Sequence, residues 1–354
     1  MRSVIVHGIL AAIGLAAAWW VWQDGDQVKR TETAVTLFAC DDDKLTQVVF
    51  ENEKKRVTID IGREGGEASG WITVTEKATK MAKGATPTKA DIDAFAASEK
   101  LSRIVAKVAP FAAERSLGEV DAGKIADLGL KESKETISVA CGGEKRSYHL
   151  GSKTYGGRTR YIRSSDGGAV HLVGNSLVGD LEMAEFRFMQ RDLLRLDLTD
   201  ADEATVSGQG GTIKLVHRSR RQGRKAMWVS AAAPDQRNEL YGNWLAKLMR
   251  LRALDYLKKG EGPGSAKGKT AVPVDVVKVE LKGDKAGRIE IVKIPFGNND
   301  ADYFARTTAT RGWVTVPKSL AAQIESDVGG VVGIDKPDSS NAAAAPGQAT
   351  AASK

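Results

Sequence analysis

The sequence predicts an α+β protein: an N-terminal transmembrane helix, then two related modules, each a mostly antiparallel sheet with packing helices. Three observations predict it. A charge-free run fills residues 3–22. Stretches of alternating, β-branched residues recur with charged or Gly-rich turns between them. The succession of three strands, a helix, four strands and a helix occurs twice, once over 45–190 and again over 191–333. The expected organisation is a signal-anchor helix at 1–22, a juxtamembrane linker at 23–44, the two modules, and an Ala/Pro/Ser-rich tail at 334–354 too poor in apolar residues to fold.

Ser3 to Trp22 contains no Asp, Glu, Lys or Arg. At about 1.5 Å per residue, twenty helical residues span about 30 Å, the hydrocarbon thickness of a bilayer. Trp19, Trp20 and Trp22 crowd one end, where amphipathic rings favour the headgroup layer. Arg2 precedes the run and Asp24 and Asp26 follow it, so the positive-inside bias leaves the N-terminus in the cytoplasm. The expected location is therefore the inner membrane, single-pass, with the C-terminal bulk in the periplasm or other extracytoplasmic space. A signal peptide cleaved near Ala16-Ala17-Ala18 is the competing reading. The apolar run continues past that point to Trp22, which suits a retained anchor. The pairs Gly8–Ala12 and Gly14–Ala18 have the small-xxx-small spacing that admits a neighbouring helix.

In the first module, strands are expected at 45–52, 57–61, 70–75, 136–141, 146–151, 159–164 and 169–174. A helix is expected from a cap at Thr88, with Ile92, Phe95, Leu101, Ile104, Val105 and Val108 along one face, and a terminal helix over about 175–190. The second module repeats this with strands at 204–208, 212–217, 226–231, 276–281, 287–294, 302–307 and 312–317. Its helices carry Leu240, Trp244, Leu248 and Leu251, and then residues 317–328. Trp71 and Trp228 fall at the same place in the third strand of each. The first module alone has DAGKIADLGL at 121–130, a short helix, where the second has the Gly-rich run 258–269.

Composition narrows the function. Hydrophobic residues make up 42% and charged residues 27%, a balance that buries a core. The net charge of +7 over 354 residues is too dilute for a nucleic-acid binder. Cys40 and Cys141 are the only cysteines; an oxidising compartment favours a disulfide between them, and two buried free thiols are the alternative. His149, His171 and His217 show no metal-ligand spacing, and Asp41-Asp42-Asp43 lacks an EF-hand continuation. The Gly-rich stretch 151–157 precedes a strand, so it reads as a hairpin turn rather than a phosphate cradle. The densest basic run includes Arg218, Arg220, Arg221, Arg224 and Lys225, between two strands. A solvated turn is its simplest reading, and contact with an anionic surface the functional one. No catalytic, cofactor or metal motif appears.

The Trp-bearing third strand, Leu128-Gly129-Leu130, His149-Leu150-Gly151, the Gly-rich turn and the strand bearing Tyr161 together resemble the domain-of-unknown-function family numbered forty-three forty, over roughly residues 1–330. Lys131-Glu132 stands where that pattern often carries Pro. The resemblance implies a single-pass envelope protein encoded beside ABC transporter components of the gliding-motility type, and it brings no catalytic residues. The function expected is a non-enzymatic accessory or scaffold subunit, without cofactor, held in lipid by its N-terminal helix beside a transporter-type membrane protein. The alternative is an envelope hydrolase or polymer-binding protein without a recognisable motif.

Overall fold

A computed structural model describes residues 34–77, 92–218, 220, 227–258, 260–268, 271–297 and 300–333. The predicted membrane helix, with Trp19, Trp20 and Trp22, and the tail lie outside these residues. Among the described residues, no helix is long and apolar enough to cross a membrane.

In chain order the strands are β1 (Val35–Phe38), β2 (Leu45–Glu51), β3 (Lys55–Glu64), β4 (Glu67–Glu76), β5 (Ile92–Ala96), β6 (Phe111–Ala113), β7 (Arg115–Gly118), β8 (Thr136–Cys141), β9 (Glu144–Lys153), β10 (Thr159–Ser164) and β11 (Val170–Gly174). They continue as β12 (Ala201–Gly208), β13 (Gly211–Arg218), β14 (Met227–Ser230), β15 (Val274–Gly283), β16 (Gly287–Phe296), β17 (Asp300–Thr307) and β18 (Trp313–Thr315). The helices are α1 (Leu101–Val108), α2 (Ala122–Asp127), α3 (Asn175–Glu182), α4 (Ala184–Phe188), α5 (Glu239–Met249) and α6 (Lys318–Val332). The protein is thus α+β with antiparallel sheets.

The chain divides into two compact units that interleave in sequence. One holds the described residues up to Asn52 together with Ile104–Leu181; the other holds Glu53–Arg103 and the described residues from Glu182 onward. In the first unit the strand order is β2-β8-β9-β10-β11-β7, with β1 and β6 as a separate pair. Alternating residues of its strands, among them Val48, Phe50, Ile137, Val139, Leu150 and Ile162, are buried. In the second unit β5-β4-β3 form one set and β14-β13-β12-β15-β16-β17-β18 a seven-stranded sheet. Val206, Leu215, Val279, Ile289 and Ile291 of that sheet pack with Trp244, Leu245, Ile324 and Val328 of α5 and α6. Trp244 Nε1 donates to the Ile324 carbonyl at 3.1 Å, so the two helices are bonded as well as packed.

The predicted helix between Thr88 and Val108 is corrected. Residues from Ile92 to Ala96 form β5, paired with β4 from Thr75↔Ile92 to Trp71↔Ala96, and only α1 is helical. Ile92 and Phe95 have helical spacing, but a free edge on β4 offers their backbone a ladder of hydrogen bonds, which overrides so short a periodic signal. The cap at Thr88 lies outside the described residues. The terminal helix of the first half breaks at Met183 into α3 and α4. Strands β1, β5, β6 and β7, each three to five residues long, were not anticipated.

Candidate functional site

The chain enters the first unit through β1, which pairs with β6 at Val35↔Ala113, Thr36↔Ala112 and Phe38↔Phe111. Cys40, just beyond β1, forms a disulfide with Cys141 at the end of β8, with Cα atoms 5.9 Å apart. Tyr148 on β9 donates its hydroxyl to the Leu37 carbonyl at 3.1 Å, and its ring meets Phe111 edge-on at 5.3 Å. The Arg146 guanidinium lies 4.9 Å above the Phe38 ring. One ladder, one disulfide, one hydrogen bond and one cation–π contact therefore hold this entry strap.

Beside the strap is an open depression lined by Thr36, Leu37, Arg146, Tyr148, Asp166 and His171, among others. Burial raises the Tyr148 phenol above its usual range, and Arg146 offsets part of that rise. Burial also lowers His171, so its ring is neutral at neutral pH. Among the described residues, no group bonds His171 Nδ1. A neutral imidazole, a committed phenol and rim charges of both signs equip the depression for hydrogen-bonded recognition. They do not assemble a nucleophile with its base.

The two three-residue motifs meet in the same unit. Ser152 N donates to the Leu128 carbonyl at 2.9 Å. A Cβ on Gly151 would stand 2.4 Å from the Leu128 oxygen, and one on Gly129, at φ +72°, 2.6 Å from Ser152 Oγ. Only glycines permit this approach. Buried Arg160 closes the joint: its Nε and Nη2 donate to the Gly151 carbonyl at 3.0 and 2.7 Å, and its Nη1 pairs with Glu135 at 2.6 Å. Ser133 Oγ donates to the Leu150 carbonyl. These motifs form a structural clamp.

The remaining predicted residues disperse. Arg218 pairs with Asp235 at 2.8 Å; Arg220 pairs with Asp202 at 2.6 Å and also with Asp284. Their charge is thus offset within the molecule, while Arg221, Arg224 and Lys225 lie outside the described residues. Trp71 and Trp228 occupy opposite faces. A Cβ on Gly70 would abut Leu101 of α1, so Trp71, the next residue, turns away from that helix and meets Tyr256 edge-on at 6.2 Å. Trp228 is buried in the core with Trp244 and Leu245, and its ring stacks on His217 at 4.5 Å. The predicted equivalence of the two tryptophans fails by one residue of strand phase.

A second polar cluster lies in a groove of the second unit. Tyr303 Oη donates to Glu325 Oε2 at 2.6 Å, and Lys293 pairs with Glu325 Oε1. Burial and then the Glu325 bond raise the Tyr303 phenol. Both carboxylate oxygens are engaged, so Glu325 acts as a joint between β16, β17 and α6. Its partners stand 22 and 32 residues away, so no local motif marked them. Among the described residues, no group of three or more His, Cys, Asp or Glu is placed to hold a metal.

Antiparallel sheets, a disulfide-tied entry strap and a polar depression beside it define an α+β protein. The sequence model described as Domain of unknown function (DUF4340) matches residues 87–271, just over half of the 354. The chain belongs to that family. No curated protein and no solved structure matches it.

Proposed function

We propose that this protein is a non-enzymatic, single-pass extracytoplasmic accessory subunit of a transporter-type envelope complex. In this reading it is held by residues 3–22 and docks through its two related modules. The Cys40–Cys141 disulfide carries the proposal: such bonds persist in oxidising compartments, and this one closes 18 residues beyond Trp22. From Trp22 to Ala34, twelve residue steps reach at most about 43 Å, so the strap and its depression stay close to the end of the apolar run. Confinement there raises the effective concentration of the domain for a membrane partner.

The equivalence of the modules has support in the ladders. Pairings β4–β3, β2–β8, β8–β9, β9–β10 and β10–β11 recur in the same succession as β14–β13, β12–β15, β15–β16, β16–β17 and β17–β18.

The test combines a C-terminal reporter active only outside the cytoplasm with thiol alkylation of freshly lysed cells. An active reporter and cysteines that react only after reduction are expected. A cytoplasmic C-terminus or free thiols in cells would overturn the proposal.

A further inference from the structure

The hairpin joining β9 to β10 ends in Tyr155, Gly156, Gly157 and Arg158. Tyr155 is fully exposed. The loop is nonetheless built firmly. Thr154 N donates to the Thr159 carbonyl at 3.0 Å, and Thr154 Oγ1 contacts Thr159 Oγ1 at 2.8 Å and the Thr159 carbonyl at 3.1 Å. Gly157 N bonds the Thr154 carbonyl at 2.8 Å, and Gly156 and Gly157 take φ of +84° and +70°, which turns the chain within the tip. Exposed Lys153 and Arg158 flank the ring, and among the described residues neither is paired with a carboxylate. The hairpin joining β16 to β17 also ends near an aromatic, Phe296, but that ring is only 45% exposed and lies under the Lys318 ammonium at 5.5 Å. Of these two hairpin tips, the freer aromatic is therefore the one in the unit that also holds the entry strap.

We propose that this tip is a second membrane contact: Tyr155 enters the headgroup layer of an anionic bilayer, and Lys153 and Arg158 meet lipid phosphates. An amphipathic ring favours that layer, and basic neighbours draw it toward negative charge. A pre-ordered loop loses little freedom when it docks. A protein partner is the competing occupant, but an isolated ring between two unpaired cations suits a diffuse anionic surface better than a shaped pocket. The inference rests on the anchored reading above, which brings the tip near lipid.

The full chain carrying Tyr155→p-benzoylphenylalanine keeps an aromatic at the tip and crosslinks whatever it touches. In membranes containing phosphatidylglycerol, irradiation should give lipid adducts by mass spectrometry, with none from the same group at exposed Val272. Adding Lys153→Glu and Arg158→Glu should abolish them. Protein adducts without lipid adducts, or a yield equal to that at Val272, would overturn the proposal. Fractionation separates the two readings. If the chain leaves the membrane fraction, the anchor reading fails, and the same variant irradiated with phosphatidylglycerol vesicles decides the tip: adducts support it and their absence refutes it.

Discussion

The joint between Leu128 and Gly151 shows how much a single missing methyl can hold. Gly151→Ala places a carbon inside the radius of the Leu128 oxygen, and the neighbouring atom is backbone. We expect a loss of about 1–3 kcal/mol, the usual cost of overpacking, as a lowered urea midpoint with unchanged slope. His171 makes a pH-dependent contribution. Burial holds its pKa below the ordinary 6.5, so the folded state binds fewer protons than the unfolded chain once pH falls below that value. Stability from this group is complete above 6.5 and is lost on acidification. His171→Asn should flatten the stability profile below the ordinary 6.5 of an imidazole, measured by urea titration at each pH. At this scale the sequence was only partly legible. The clamp residues stood out as motifs, but nothing local shows that Arg160, nine residues beyond Gly151, folds back onto its carbonyl. Trp71 and Trp228 shared a position along the strand, and the pleat placed them on opposite faces.

At the scale of elements, the length of the alternating pattern decided much of what could be read. Strands of six to ten residues such as β8, β9 and β10 declare themselves through alternation. Strands β1, β6 and β7 are three or four residues long, too short for a period to register, and exist because a neighbouring edge accepts them. The strap depends on such weak pieces, so its disulfide matters. Replacing Cys40 and Cys141 together by Ser should cost about 2–5 kcal/mol, since the bond closes a 101-residue separation. Limited proteolysis should then cut near residues 34–40 before any other described segment. Equal resistance in the variant would mean that the β1–β6 ladder and the Tyr148 bond suffice alone.

Across the whole molecule, the antiparallel α+β architecture was legible in the alternation of its longer strands. The composition of the compact units was not, because it depends on which segments touch rather than on their order. In the second unit, Tyr256 meets Trp71 and Phe95, bonds the Gln190 carbonyl at 2.9 Å and bridges to Val314, linking strands from both halves of the sequence. The disulfide also has a mechanical meaning. A pull on the N-terminal side of Cys40 passes through sulfur straight to the end of β8 and bypasses every residue between. That stretch, about 100 residues, is removed from the load path and cannot extend. In single-molecule pulling between the N-terminal side of Cys40 and the C-terminus, about 330–360 Å of contour length should stay hidden until a reductant is added, at about 3.3–3.6 Å per residue. A force applied ahead of Cys40 would then be felt first at the end of β8, with the residues between the two cysteines left slack.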